Sequence, residues 1–203
     1  NGSTLYLQAY GTGTKLITSA RDDLERLETM HHQAPPQGSI VEAHNSVILV
    51  ADRKALWLTT PMRPHLVERN KRFFQYSTDI GFVAAVNAGV YVSADRLYFI
   101  RDTEGETPQQ VVLSEYPGVP GTQAILPDGR YAWMTQYGLA IGDDNGSMTL
   151  VSQANFVPEL ASYGASGIVE SNGSQKVVTT MRGKRGDNPL AASDYYEAEI
   201  VTP

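Results

Sequence analysis

Val47-Ile-Leu-Val-Ala-Asp-Arg-Lys-Ala-Leu-Trp-Leu-Thr-Thr60 and Phe82-Val-Ala-Ala-Val-Asn-Ala-Gly-Val-Tyr-Val-Ser-Ala-Asp-Arg-Leu-Tyr-Phe-Ile100 decide the fold class of this chain. Each packs short runs of Val, Ile, Leu, Tyr and Trp between turn residues, the pattern of antiparallel strands joined by tight connections. Around the first, strands are expected at 40–43, 47–50 and 56–59, broken by His44-Asn-Ser46 and Asp52-Arg-Lys54. Around the second they are expected at 80–86, 89–93 and 97–100, followed by a polar loop at 102–108. Both are meanders.

The same order of events recurs outward from these two stretches. Leu5-Tyr-Leu-Gln-Ala-Tyr10 and Lys15-Leu-Ile-Thr18 flank the turn Gly11-Thr-Gly-Thr14 and predict a hairpin. A third unit begins at Gln110-Val-Val-Leu113 and is interrupted by Tyr116-Pro-Gly-Val-Pro-Gly121. It resumes at 123–126, with short strands at 131–135, 138–141 and 147–151. A fourth runs from 167–170 to 176–181, and Tyr195-Tyr-Glu-Ala-Glu-Ile-Val201 alternates evenly as a last strand. Helical spacing occurs only at Leu24, Leu27 and Met30, so at most one short helix is expected, at 20–30. Pro35 and Pro36 end that window.

The meanders start near Ile40, Ile80, Gln123 and Gly167, roughly 40 residues apart, which is the size of a four-stranded propeller blade. The expected fold is all-β, a propeller-like array of short antiparallel meander sheets, with a β-sandwich as the alternative. In a closed propeller the last strand would complete a sheet begun by Leu5 to Tyr10 and hide both edges. One β domain over 1–203 accounts for the length, and a start at Asn-Gly-Ser fits a piece of a longer protein.

Composition narrows the function classes. The 41% apolar and 19% charged residues describe a globular chain with a packed core. A net charge of -6 repels a phosphate backbone, so nucleic acid is not an expected partner. No apolar run reaches the roughly 18 residues of a membrane span. With no cysteine in the chain, disulfides, thiolate metal sites and cysteine nucleophiles are excluded.

Motif by motif, the residues point to structure rather than chemistry. Gly11-Thr-Gly-Thr-Lys15 lacks the spacing of a phosphate loop and has strands on both sides. His31-His32 has no third ligand at useful spacing. Gly142-Asp-Asp-Asn-Gly146 lacks the pattern of a calcium loop and reads as a hairpin turn. Gly164-Ala-Ser-Gly167 is one residue short of a nucleophile elbow and reads as a loop. Trp57, Tyr91, Tyr98, Phe99, Trp133, Tyr195 and Tyr196 fall inside alternating strands, where aromatics are core more often than sugar platforms. No catalytic, cofactor-binding or metal-binding residues are therefore expected. The 61–76 connection combines Pro61 and Pro64 with Arg63, Arg69, Arg72, Phe73, Phe74 and Tyr76, a composition suited to anchoring another chain.

Several segments together resemble virion structural proteins of tailed bacteriophages and prophages, those of the tail or head-to-tail region. They are Pro35-Pro-Gln-Gly38, Ala43-His-Asn-Ser-Val-Ile-Leu-Val-Ala51, Leu56-Trp-Leu-Thr-Thr-Pro61 with Pro64-His65, 80–86, and Gly89-Val-Tyr-Val-Ser-Ala-Asp-Arg-Leu-Tyr-Phe99. Trp133-Met-Thr-Gln-Tyr-Gly-Leu-Ala-Ile-Gly142, Gly146-Ser-Met-Thr-Leu150 and the closing Asn188-Pro-Leu-Ala-Ala-Ser-Asp-Tyr-Tyr-Glu-Ala-Glu-Ile-Val201 extend the likeness over most of the chain. The resemblance implies a propeller-like β fold, no catalysis, and work as a repeated subunit bound to other virion proteins, assembled in the bacterial cytoplasm. The competing class is a carbohydrate-binding or glycan-hydrolysing β-propeller domain, which needs convergent acids, an arginine cluster and a tyrosine in one mouth.

Overall fold

The computed structural model describes residues 5–9, 13–17, 31–68, 70–151, 161–171, 173–183 and 194–200, the first two and the last of these as backbone alone. The 20–30 window expected to hold a helix lies outside them. Among the described residues every regular element is a strand. No helix among them is long and apolar enough to cross a membrane.

Strands β1 (Leu5–Ala9) and β2 (Gly13–Ile17) form the expected hairpin, and β3 (His32–Gln33) follows. Sheet 1 takes β4 (Ile40–His44), β5 (Val47–Asp52), β6 (Ala55–Leu58) and, after β7 (Val67–Glu68), β8 (Phe73–Gln75). Sheet 2 is β9 (Phe82–Val86), β10 (Gly89–Ser93), β11 (Leu97–Arg101) and β12 (Gln109–Ser114). Sheet 3 is β13 (Ala124–Ile125), β14 (Tyr131–Thr135), β15 (Gly138–Gly142) and β16 (Met148–Leu150). Sheet 4 is β17 (Ala161–Ser171), β18 (Ser174–Gly183) and β19 (Asp194–Ile200). β3 and β7 pair as a small separate ladder.

Each of the four sheets is antiparallel and takes its strands in chain order. They are open sheets. The last strand pairs with β18 and β1 pairs with β2, so the expected joining of the chain's last strand to its first is replaced by two local pairings. β17 also differs from expectation: Gly164-Ala-Ser-Gly167 is strand rather than loop, because the long partner β18 supplies backbone pairing from Ala161 to Ser171. Ser166 and Thr179 join hydroxyls across it at 2.7 Å.

The period of two along each strand explains how the sheets stack. Val47, Leu49, Leu56 and Leu58 of sheet 1 meet Val83, Val90, Val92 and Ile100 of sheet 2 in one core. The alternate residues of sheet 2, Phe82, Ala84, Tyr91, Leu97 and Phe99, point the other way and pack on Trp133 and Ala140 of sheet 3. Sheet 3 repeats the device, turning Ala132, Met134, Leu139 and Ile141 toward Val177 and Met181 of sheet 4. Sheets buried on both faces read as near-continuous apolar runs, as β10 and β15 do. A fully buried Val or Leu side chain contributes about 2 kcal/mol, so these three shared cores outweigh any single hairpin.

The interruption at 116–121 is a close crossing rather than a loose loop. Gly118 bridges to Thr135, and a Cβ there would come within 2.6 Å of the Phe82 ring and 2.7 Å of Trp133. Only glycine lets the backbone pass between those two aromatics.

Candidate functional site

The 61–76 connection is built on a tight reversal after β6. Arg63 N donates to Thr60 O at 2.9 Å, Leu66 N to Arg63 O at 3.0 Å, and Thr60 N to Leu66 O at 2.8 Å. Met62 sits at the turn with a φ of 61° and is 82% exposed. Leu66 and Val67 then turn inward, and Val67 pairs with Gln33. The connection is thereby held by its own backbone and by β3.

Sequence composition offers six side chains here as an interface, and the structure gives them different surroundings. Arg72 is buried. Its guanidinium donates to Thr59 O from Nε at 3.2 Å and to Gly105 O and Thr103 O from its two terminal nitrogens. Burial lowers its pKa, while Glu68 and Asp102 work in the other direction. Tyr76 is buried too, its ring 5.0 Å from that of Tyr98 and its hydroxyl donating to Gln110 Oε1 at 2.7 Å. Burial pushes the Tyr76 phenol well above its ordinary value, with Tyr98 and Asp95 adding to the rise. Phe74 packs half-buried against the core between sheets 1 and 2. Arg63 is half-buried at the reversal, and Arg69 lies outside the described residues. Phe73 alone of the aromatic group is exposed, and it stacks on Trp57 with centroids 5.0 Å apart and planes 28° from parallel.

Arg72 is thus a clamp between sheets 1 and 2, and a second set of contacts closes the same seam. His44 Nε2 faces Asn87 O at 3.2 Å, and Nδ1 faces the Thr103 hydroxyl at 2.7 Å. A carbonyl only accepts, so Nε2 carries a proton toward Asn87, and Nδ1 shares a hydrogen bond with the Thr103 hydroxyl. Ser46 donates to Glu104 Oε1 from its backbone N at 3.2 Å and from its hydroxyl. Those bonds hold the Glu104 carboxyl below the usual carboxylate range. The polar loop 102–108 is therefore tied to sheet 1 through His44, Ser46 and Arg72.

On the face of sheet 1 turned away from sheet 2 lies a cross-strand row whose two ends, Val41 and Phe73, reach solvent, while Trp57 is half-buried and Val50 is buried. The registers place Val41 opposite Val50, Val50 opposite Trp57, and Trp57 opposite Phe73. Val41 is 63% exposed at one end of the row. Val41 and Trp57 were not singled out by the composition of the connection. Their signal was the alternation itself, since both are out of phase with the core positions Ile40, Leu56 and Leu58.

The other motifs are placed as follows. Tyr91, Phe99 and Trp133 are fully buried, so they form core and not a platform. The 142–146 segment is a closed turn, with Asp143 N donating to Ser147 O at 2.9 Å and Gly146 N to Asp143 O at 3.2 Å. Arg130 lies beside its acids, 2.7 Å from Asp128 and 3.7 Å from Asp143, supplying the positive charge there. His32 lies in the short β3 ladder opposite Glu68. Among the described residues no group of three or more His, Cys, Asp or Glu is disposed to hold a metal ion. No protein-family model matches the chain, and no curated protein matches it.

Proposed function

We propose that this chain is a non-enzymatic structural protein of a tailed-phage virion, its sheets the blades of a propeller-like array that binds other tail or head-to-tail proteins as a repeated subunit. The observation that carries the reading is the serial stacking of chain-ordered meanders. First strands begin at Ile40, Phe82, Ala124 and Ala161, close to the roughly 40-residue period of blades. At two of the three seams between these sheets the first strand of one runs beside that of the next, β4 by β9 and β13 by β17, as the inner strands of neighbouring blades do. Such an array spends its side chains on holding sheets together and offers loops and outer faces for contact.

On this reading the 61–76 connection docks through Phe73, with Trp57 beneath it, while Arg72 and Tyr76 keep the segment rigid. A surface fixed in advance loses little ordering entropy on binding. Mass spectrometry of particles purified after induction of the genome that carries the gene tests the class: the protein should be a stoichiometric particle component. Particles that lack it, with the protein left in the soluble fraction, would overturn the proposal. Phe73→Ala and Met62→Glu should then lower incorporation while leaving the circular dichroism spectrum unchanged.

A further inference from the structure

The outermost strand of sheet 2 differs from those of its neighbours. β8 and β16, the outer strands of sheets 1 and 3, are three residues each, a length that limits edge pairing. β12 runs for six residues, Gln-Gln-Val-Val-Leu-Ser, with no charge in it. Val111 is 41% exposed and Val112 46% exposed, on opposite faces of the strand. One edge of β12 is paired to β11. Among the described residues, its backbone makes no other backbone hydrogen bond. The other edges this long belong to sheet 4: β17 is broken by a bulge near its start, by Gly164 and Gly167, and by the charge of Glu170, and β19 carries the charges of Asp194, Glu197 and Glu199.

We propose that β12 is a self-association edge: the outer strands of two copies pair antiparallel across a twofold axis near Val111 and Val112, joining two four-stranded sheets into one. Charge favours a second copy as the occupant. In an antiparallel self-pair each side chain stands opposite a side chain of the same strand in the second copy, so a charge at the axis would oppose itself, and this strand has no charge to oppose. An axis at Val111 sets that β-branched residue against its twin, a favourable cross-strand pair. The contact is isologous and closes at two copies. Because each copy carries a net charge of -6 while the contact itself is neutral, salt strengthens the pairing by screening the repulsion between the bodies. The inference rests on the geometry of β12 and not on the virion reading.

Sedimentation equilibrium of the whole chain over a range of concentrations and salt tests it. The expected result is a reversible dimer that tightens as salt rises. Val111→Lys with Val112→Lys should weaken it by about tenfold or more, while Val41→Lys, at an exposed residue elsewhere, leaves it unchanged. The chain has no cysteine, so Val111→Cys supplies a single thiol. On mild oxidation it should give a disulfide-linked dimer, and Val41→Cys should not. This arm stands even if the double lysine variant misfolds. A wild-type chain monomeric at every concentration, a dimer that survives both lysines with the fold intact, or cross-linking at Val41 in preference to Val111 would each overturn the proposal.

Discussion

Arg72 shows how a residue's neighbours decide its role. Its guanidinium serves three carbonyl oxygens, Thr59 O from sheet 1 and Thr103 O and Gly105 O from the loop of sheet 2. Arg72→Met keeps much of the aliphatic bulk but leaves those acceptors unpaired, and the expected loss is about 2–4 kcal/mol by urea denaturation. Arg72→Lys should recover only part of it, because an ammonium lacks the planar fork that spans three acceptors. Equal stability of wild type and Arg72→Met would mean that the seam is held by the cores alone. Tyr76 and Tyr91 give a pH dependence of definite sign. Burial raises both phenol pKa values in the folded chain, whereas the unfolded chain ionises near pH 10. The stability they confer is complete below about pH 10 and falls as pH rises beyond it, since only the unfolded state loses protons there. Phenolate absorbance from these two should therefore appear with unfolding, while exposed tyrosines titrate first. If all the tyrosines ionise together before any loss of structure, the phenols are not sequestered.

At the scale of the element, Trp133 on β14 joins two sheets. Its ring lies 5.7 Å from Phe82 and 5.2 Å from Tyr91, and its buried indole nitrogen has no hydrogen-bond partner. An unpartnered buried donor costs about 1–3 kcal/mol, which offsets part of what the ring contributes by packing. Trp133→Phe should thus cost about 1 kcal/mol, against about 3–5 kcal/mol for Trp133→Ala. Matching losses in the two variants, measured by thermal and urea unfolding, would show that volume has no part in the site. The strands around Trp133 were legible in the sequence, as were the meanders at 40–59 and 80–100, because alternation between turns is a local signal. The β3–β7 ladder was not, since pairing His32 with Glu68 depends on how the intervening chain folds back. Gly164-Ala-Ser-Gly167 misled for a related reason: its residues disfavour strand, and pairing with β18 overrides them. Arg72 and Tyr76 looked like surface anchors because charged and hydroxylated side chains are usually exposed. Apart from Thr59, their carbonyl and amide partners lie about thirty residues away, beyond the reach of any local pattern. Phe73, among the six, kept a solvent face.

For the whole molecule, the decisive property is that, among the described residues, the cores are shared between sequential sheets. Sheet 2 is the common member of two of them, giving Val83, Val90 and Val92 to one side and Phe82, Tyr91 and Phe99 to the other. Stability in such an array approaches a sum of sheet and neighbour terms, as in repeat proteins. Two variants separate this from a single cooperative unit. Leu56→Ala empties a position in the core between sheets 1 and 2, and Leu139→Ala one between sheets 3 and 4. Each should cost about 2–5 kcal/mol. Native-state hydrogen exchange then reads where the cost is felt: Leu56→Ala should speed exchange in β5, β6 and β10 and leave β14 and β15 protected, and Leu139→Ala should do the reverse. Sheet 2 should respond more weakly to the second variant than to the first, because Leu139 faces away from it, toward sheet 4. If both variants raise exchange equally in every strand, the sheets open together, and the neighbour description fails for this chain.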